Sequence, residues 1–215
     1  MSNTTNKLKQ IKEEVIECKK CSLYKTRTLP VVGAGSHNAN IMFVGEAPGA
    51  NEDKTGIPFC GKAGKILDEL LESQGIKRED VYICNILKCR PPQNRDPQRE
   101  EKEACVSYLE KQIQIIRPSV ICTLGNHATE YIFKKFNLKE KLQGISKIHG
   151  QTFDSSLFYP IKIISMYHPA VATYNANMKD VLKEDFKILK QFKDIEKLET
   201  EENVGIVKAE QDKLL

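Results

Sequence analysis

"NIMFVGEAPGANEDKTGIPFCGKAGK", residues 40–65, carries two competing readings of the fold. It opens with a nearly continuous apolar run, Ile41 to Val44, the pattern of a strand buried on both faces. Further on, Gly56, Gly61 and Lys62 reproduce the spacing of a glycine-rich phosphate cradle, with Ala63 where a Ser or Thr hydroxyl would hold magnesium. A phosphate cradle lies directly between a strand and its helix. Here ten residues separate Gly45 from Gly56, and Pro58 removes an N–H that a cradle would use. The stretch therefore reads as a strand followed by a loop that presents Phe59 between glycines. A flat aromatic held in this way can stack on a planar ring, an interaction of about 1–3 kcal/mol for a nucleic-acid base.

The same alternation runs outward from this stretch. Buried-type strands appear as "VYICNIL" from Val81, "SVICTLG" from Ser119 and "IKIISMYHP" from Ile161. Between and around them, helical stripes run through Leu8, Ile11, Val15 and Ile16, and through Ile66, Leu67, Leu70 and Leu71. Others run through Ala104, Leu109, Ile113 and Ile116, over residues 126–136, and through Val181, Leu182, Phe186, Leu189 and Phe192. Pro91, Pro92 and Pro97 make "KCRPPQNRDPQRE" (88–100) a loop. Alternating strands and helices predict an α/β fold, a three-layer α/β/α sandwich around a mostly parallel central sheet. Residues 1–193 are expected to form one domain, and the charged residues 194–215 a flexible tail. Residues 137–160 show no clear pattern.

Composition narrows the class. The 215 residues are 40% hydrophobic, enough for a sizeable core, and the net charge of +4 permits an anionic partner without demanding one. No apolar run approaches the roughly 20 residues of a membrane span, and "MSNTTNKLKQ" is no secretory signal. A cytoplasmic monomer is the expectation. Seven cysteines in such a chain point to metal or redox chemistry rather than disulfides. Cys18 and Cys21 form a CxxC, and Cys89 and Cys105 follow with 15 residues between them, flanking the Pro- and Arg-rich loop. Four thiolates can hold a zinc ion or a [4Fe–4S] cluster, and spacing does not choose between them. Cys84 and Cys122 read as core, and Cys60 as structural.

Ligands of an open parallel sheet bind beyond the carboxyl ends of its strands. Those ends carry Glu46, Asn85, Gly125 and His168: a carboxylate, an amide, a backbone open to close approach and an imidazole on one rim. An amide beside Phe59 can read the edge of a stacked ring, since it both donates and accepts. Lys88, Arg90, Arg95 and Arg99 lie nearby, and the arginines suggest phosphate contacts. His127, at the start of a helix, points to a phosphate or to solvent, and His37 and His149 are expected at the surface.

"GEAPGANED" (45–53), "GIPFCGKAG" (56–64), "CNILKCRPPQNRDP" (84–97), "TLGNHAT" (123–129) and "HPAVATYN" (168–175) together resemble the family 4, iron–sulfur uracil-DNA glycosylases. With the four cysteines, the likeness covers about residues 18–192, in order. It implies a DNA-repair enzyme that flips uracil out of DNA and hydrolyses its N-glycosidic bond. Gly45, Phe59, Asn85 and His168 would then hold uracil, with Phe59 stacked on the ring and Asn85 on its edge. Glu46 would position or activate the attacking water, and His168 would hydrogen-bond the departing uracil anion. Cys18, Cys21, Cys89 and Cys105 would hold a structural [4Fe–4S] cluster, with zinc as the alternative.

DNA would be met by Gly125, Asn126, Pro169, Ala170 and Tyr174, with Arg90 and Arg95 on phosphates. Tyr174 stands where the family commonly carries a Leu or Arg wedge, and His127 where it carries a small residue. No lysine is placed for Schiff-base chemistry, so an associated lyase is not expected. The partners implied are uracil-containing DNA and repair or replication proteins reached through the tail. The competing readings are a non-catalytic, metal-stabilised nucleic-acid-binding module and a nucleotide-phosphate enzyme using residues 56–62.

Overall fold

Ile41–Gly45 is buried at every position, and the strand it forms lies inside the sheet. The computed structural model describes residues 3–193. In chain order its elements are α1 (Asn3–Ile16), β1 (Ala34–Gly35), β2 (Ile41–Gly45), α2 (Ala50–Thr55), α3 (Lys62–Ser73), β3 (Tyr82–Asn85) and α4 (Arg99–Ile116). There follow β4 (Val120–Leu124), α5 (Asn126–Lys135), α6 (Ile145–Ile148), β5 (Thr152–Ser155), β6 (Ile161–Met166), α7 (Val171–Tyr174) and α8 (Met178–Phe186).

The six strands form one sheet in the order β1-β3-β2-β4-β6-β5. The four expected strands, β3, β2, β4 and β6, are mutually parallel, and β1 and β5 close the two edges antiparallel. Alternating side chains of each central strand feed two cores. On one face Met42, Val44, Cys84 and Ile121 pack with Leu8, Ile11 and Val15 of α1, Leu109 and Ile113 of α4, and Ile132 and Phe133 of α5. On the other, Ile41, Phe43, Ile83, Val120 and Cys122 pack with Leu67, Leu70 and Leu71 of α3 and Leu182 and Phe186 of α8. This is the expected three-layer sandwich, with Cys84 and Cys122 in its core.

Several details differ from expectation. Ile16 ends α1 with 45% of its surface exposed, so the apolar stripe stops at Val15. Leu189 and Phe192 are buried, but on a 3₁₀ segment (Lys187–Phe192) that follows α8. The patternless segment holds α6 and the edge strand β5. His149 within it is partly exposed and engaged: its Nδ1 lies 2.9 Å from a carboxylate oxygen of Asp185, and its ring packs on Tyr167. The tail expected over residues 194–215 lies outside the described residues.

From β2 the chain crosses to β3 on one side, and β4 lies on the other. β2 and β4 therefore flank the point where strand order reverses, the place where open α/β sheets form a ligand crevice. Glu46 follows β2 there and Gly125 follows β4.

Candidate functional site

Gly45 ends β2 paired with Asn85 at the end of β3. A Cβ on Gly45 would overlap Asn85 Oδ1 and come within 2.8 Å of Phe59 Cζ, so a larger residue would fill the space between the two. Asn85 is buried, and its Oδ1 has no hydrogen-bond partner among the described residues. Leaving a buried acceptor unpaired costs about 1–3 kcal/mol, and a ligand N–H recovers that cost. Phe59 holds φ 50°, a left-handed conformation that a bulky residue adopts only when its surroundings impose it. The imposing contact is close: Gly64 of α3 lies against the Phe59 carbonyl, where no side chain fits.

Glu52 holds this loop, and sequence reasoning passed it over. Its Oε1 accepts from the N–H groups of Cys60 (3.0 Å) and Gly61 (2.9 Å), and its Oε2 from Gly49 N–H (3.1 Å). The carboxylate thus ties the segment after β2 to the Phe59 loop. It also disposes of the phosphate-cradle reading, because a negative charge already occupies the amides a phosphate would need. The loop moreover leaves α2, not a strand, at Gly56. The only sequence signal for Glu52 is its place three residues after Gly49, as in a capping box.

His168 follows β6 and faces Phe59, ring centroids 5.4 Å apart and 27° from parallel. Gly125 makes room for it: at φ 86° it brings the β4 end within 3.3 Å of His168 Cβ, measured from the Cβ it lacks. Ala170 N–H donates to His168 Nδ1 at 3.1 Å, so the proton of the neutral ring sits on Nε2. Burial pushes its pKa down to about 4, against a smaller upward pull from Glu52. At pH 7 it is a neutral N–H donor.

Glu46, Pro48, Pro91, Asp96 and His168 line a cleft of about 160 Å³. Burial pushes the Glu46 carboxyl above its ordinary range; His127 and Lys102 pull it down and Asp96 pushes it up. His127 Nε2 stands 3.7 Å from Glu46 Oε1 and 3.9 Å from Asp96 Oδ1.

The remaining expected residues divide. Tyr174 ends α7 with 90% of its surface exposed, and Pro169 and Ala170 form the turn that leads there. Asn126 spends its Oδ1 on Ile145 N–H (2.9 Å). Arg95 forms a double contact with Glu101, at 2.9 and 2.6 Å, and Arg90 donates to Asn94 Oδ1. Lys88 is not on a solvated loop. It is 1% exposed, and its Nζ donates to the Asn85 carbonyl (2.8 Å) and to Gln112 Oε1 (2.7 Å). Gln112 in turn donates to Val32 O and Tyr82 Oη. This buried network, invisible in sequence, fixes the backbone under Asn85.

Cys18, Cys21, Cys89 and Cys105 line one cavity with Arg27, Lys88 and Tyr108. Arg27 Nη1 donates to Cys89 Sγ (3.1 Å) and Lys88 N–H to Cys105 Sγ (3.3 Å), contacts suited to thiolates. A tetrahedral zinc with bonds of about 2.3 Å needs sulfurs roughly 3.8 Å apart. Among the described residues, Glu46, Asp96 and His127 are the grouping of three or more ligand atoms within 4.8 Å of one another. Among the described residues no three of the four sulfurs lie within 4.8 Å of one another.

The chain was compared with protein families and with curated proteins. The family model of the uracil DNA glycosylase superfamily matches residues 32–192. A type-4 uracil-DNA glycosylase of Sulfurisphaera tokodaii is 50% identical over 186 residues, 86% of this chain and 84% of the relative. One of Archaeoglobus fulgidus is 47% identical over 181 residues (84% and 90%), and one of Thermotoga maritima 43% over 184 (85% and 92%).

Proposed function

Because the chain belongs to the uracil-DNA glycosylase superfamily, with type-4 enzymes among its relatives, we infer that it removes uracil from DNA by hydrolysing the N-glycosidic bond. It is a DNA-repair glycosylase. The observation that carries the site assignment is the buried, unpaired Oδ1 of Asn85 beside the loop that presents Phe59.

A uracil flipped from the duplex stacks on Phe59 and gives its N3–H to Asn85 Oδ1, while the Asn85 amide N–H meets the adjoining carbonyl. Cytosine presents an acceptor and an amino donor at those positions and leaves both contacts opposed. Gly45 keeps the space open. Cleavage of the bond puts negative charge on the base and positive charge on the sugar. The neutral His168 donates a hydrogen bond from Nε2 to the base oxygen as that charge develops; with its pKa lowered to about 4 it is not an imidazolium at pH 7, and the very weakly acidic neutral N–H keeps its proton. Glu46 orients the attacking water and its charge favours the cationic sugar. Lys88, the amine nearest Asn85 in the buried network, is engaged by two oxygens, which supports hydrolysis by water without amine attack. Tyr174 fits a wedge entering the minor groove. Arg90 and the turn Pro169–Ala170 are the remaining DNA contacts; Gly125 and Asn126 serve by shaping the rim. Cys18, Cys21, Cys89 and Cys105, which line one cavity, would hold a [4Fe–4S] cluster, as the likeness to the type-4 enzymes implies, with zinc as the alternative. When bound, it supplies a cross-link between residues 18 and 105. The site is complete within one chain, consistent with a monomer.

The test is excision from a duplex oligonucleotide carrying one uracil, with EDTA present and alkali added afterwards to cut abasic sites. Strand cleavage is expected, falling by about 10²–10³-fold or more in Asn85→Ala. No cleavage by folded, cluster-loaded protein overturns the reading.

A further inference from the structure

His127 is the second residue of α5. The helix gains nothing from it, since a basic group in the first turn opposes the helix dipole. What the position does offer is Glu46, 3.7 Å away, and Asp96, 3.9 Å away. These distances exceed a direct hydrogen bond and suit an ion pair or a single bridging water. Among the described residues the Glu46 carboxylate has no side-chain hydrogen bond, so nothing shorter than the His127 contact holds it. The other charged or titratable groups around the pair are Arg95 and Asp96 from the 88–98 loop, Lys102 from α4, Glu130 one turn along α5, and His168 in the same cleft.

We propose that His127 is a positioning residue for Glu46, holding its carboxylate against the repulsion of Asp96 so that it stays aimed at the attacking water. This rests on the reading of Glu46 given above. Removing His127 leaves Glu46 facing Asp96 with Lys102 to compensate, since Arg95 in the same cleft is engaged by Glu101. Burial already pushes the Glu46 carboxyl up, and the loss of His127 removes the largest opposing influence. The ionised fraction of Glu46 then falls at a higher pH than in the native enzyme.

Single-turnover excision is measured across pH for the native protein, His127→Ala and His127→Gln, each also with Glu46→Ala, alongside DNA affinity at two salt concentrations. In His127→Ala the chemical step is expected to slow about 10- to 100-fold, with its acid limb moved to higher pH and DNA affinity unchanged. His127→Gln, which keeps a donor without a charge, restores part of the neutral-pH rate but not the acid limb. With Glu46 already removed, His127→Ala costs nothing further. If His127→Ala instead weakens DNA binding, lowers its salt dependence and leaves the acid limb in place, His127 is a phosphate contact and the proposal falls. It falls equally if the two substitutions are additive, or if His127→Ala changes nothing in an active enzyme. Absence of excision by the native protein would overturn the function itself, a separate result.

Discussion

Residues 84–89, "CNILKC", serve two regions built on opposite rules. Asn85 belongs to the strand-end pocket and Cys89 to the cysteine cavity, with Lys88 between them. The pocket holds what a stable fold would avoid: a buried acceptor without a partner, an aromatic at φ 50° and an imidazole kept neutral by burial. Around the cysteine cavity the polar groups are satisfied. Arg27 and the Lys88 N–H reach two of the sulfurs, and Glu101 receives Arg95, Ser22 and the Gln98 N–H. In the proposed site the unpaired Asn85 acceptor is left for a ligand, whereas around the cysteines the satisfied groups hold the chain together.

Substitutions that separate stability from chemistry put this contrast at risk. The largest effect is expected from Cys89→Ser combined with Cys105→Ser. A cross-link spanning on the order of 90 residues stabilises by about 4–5 kcal/mol through the unfolded chain, so its loss should lower the thermal midpoint by about 10 °C or more. Excision by the protein that remains folded should suffer far less than in Asn85→Ala. Equal losses in cooperatively melting protein would erase the distinction between the two regions. Phe59→Leu sharpens it from the other side: the apolar volume is largely kept and the flat face is lost. Excision should fall about ten- to a hundredfold, in line with the 1–3 kcal/mol of stacking, with little change in thermal midpoint. A drop in midpoint as large as that of the cysteine pair would make Phe59 a core residue.

The central strands were legible because burial on both faces forces continuous apolar runs, as in Ile41–Val44. The edge strands were not. Ala34–Gly35 is too short to show a pattern, and Thr152–Ser155 is antiparallel with no residue fully buried. α2 escaped for a related reason: "ANEDKT" has no apolar stripe, and Glu52 caps it from within. In the site, the residues whose chemistry stands at strand ends could be read directly. Those that act on backbone could not, because Glu52 and Lys88 take their meaning from amides and carbonyls that only folding brings near. Charge alone also leaves out a partner: Arg95 suggests a phosphate contact, and the fold in addition pairs its guanidinium with Glu101, 3% exposed at its side chain. Pairing with Glu101 offsets part of the attraction of that charge for DNA and braces the loop that carries Asp96.

The smallest effect is expected from His168, and it concerns stability rather than rate. Burial lowers its pKa from 6.5 to about 4, so between those values the unfolded chain binds a proton that the folded protein refuses. Folding stability contributed in this way is intact above pH 6.5 and is lost as pH falls toward 4. His168→Gln removes that loss without adding a charge. The fall in thermal midpoint between pH 7.5 and pH 4.5 should therefore be shallower in the variant than in the native protein, by roughly 2–4 °C for each kcal/mol involved. Other groups titrate over the same range, and comparing the two proteins at each pH cancels them. A native protein that loses no more stability in acid than the variant would mean that His168 accepts a proton as readily folded as unfolded. The ring would then be charged at mildly acidic pH, and its part in the pocket would be that of a cation beside the departing base, not of a neutral donor.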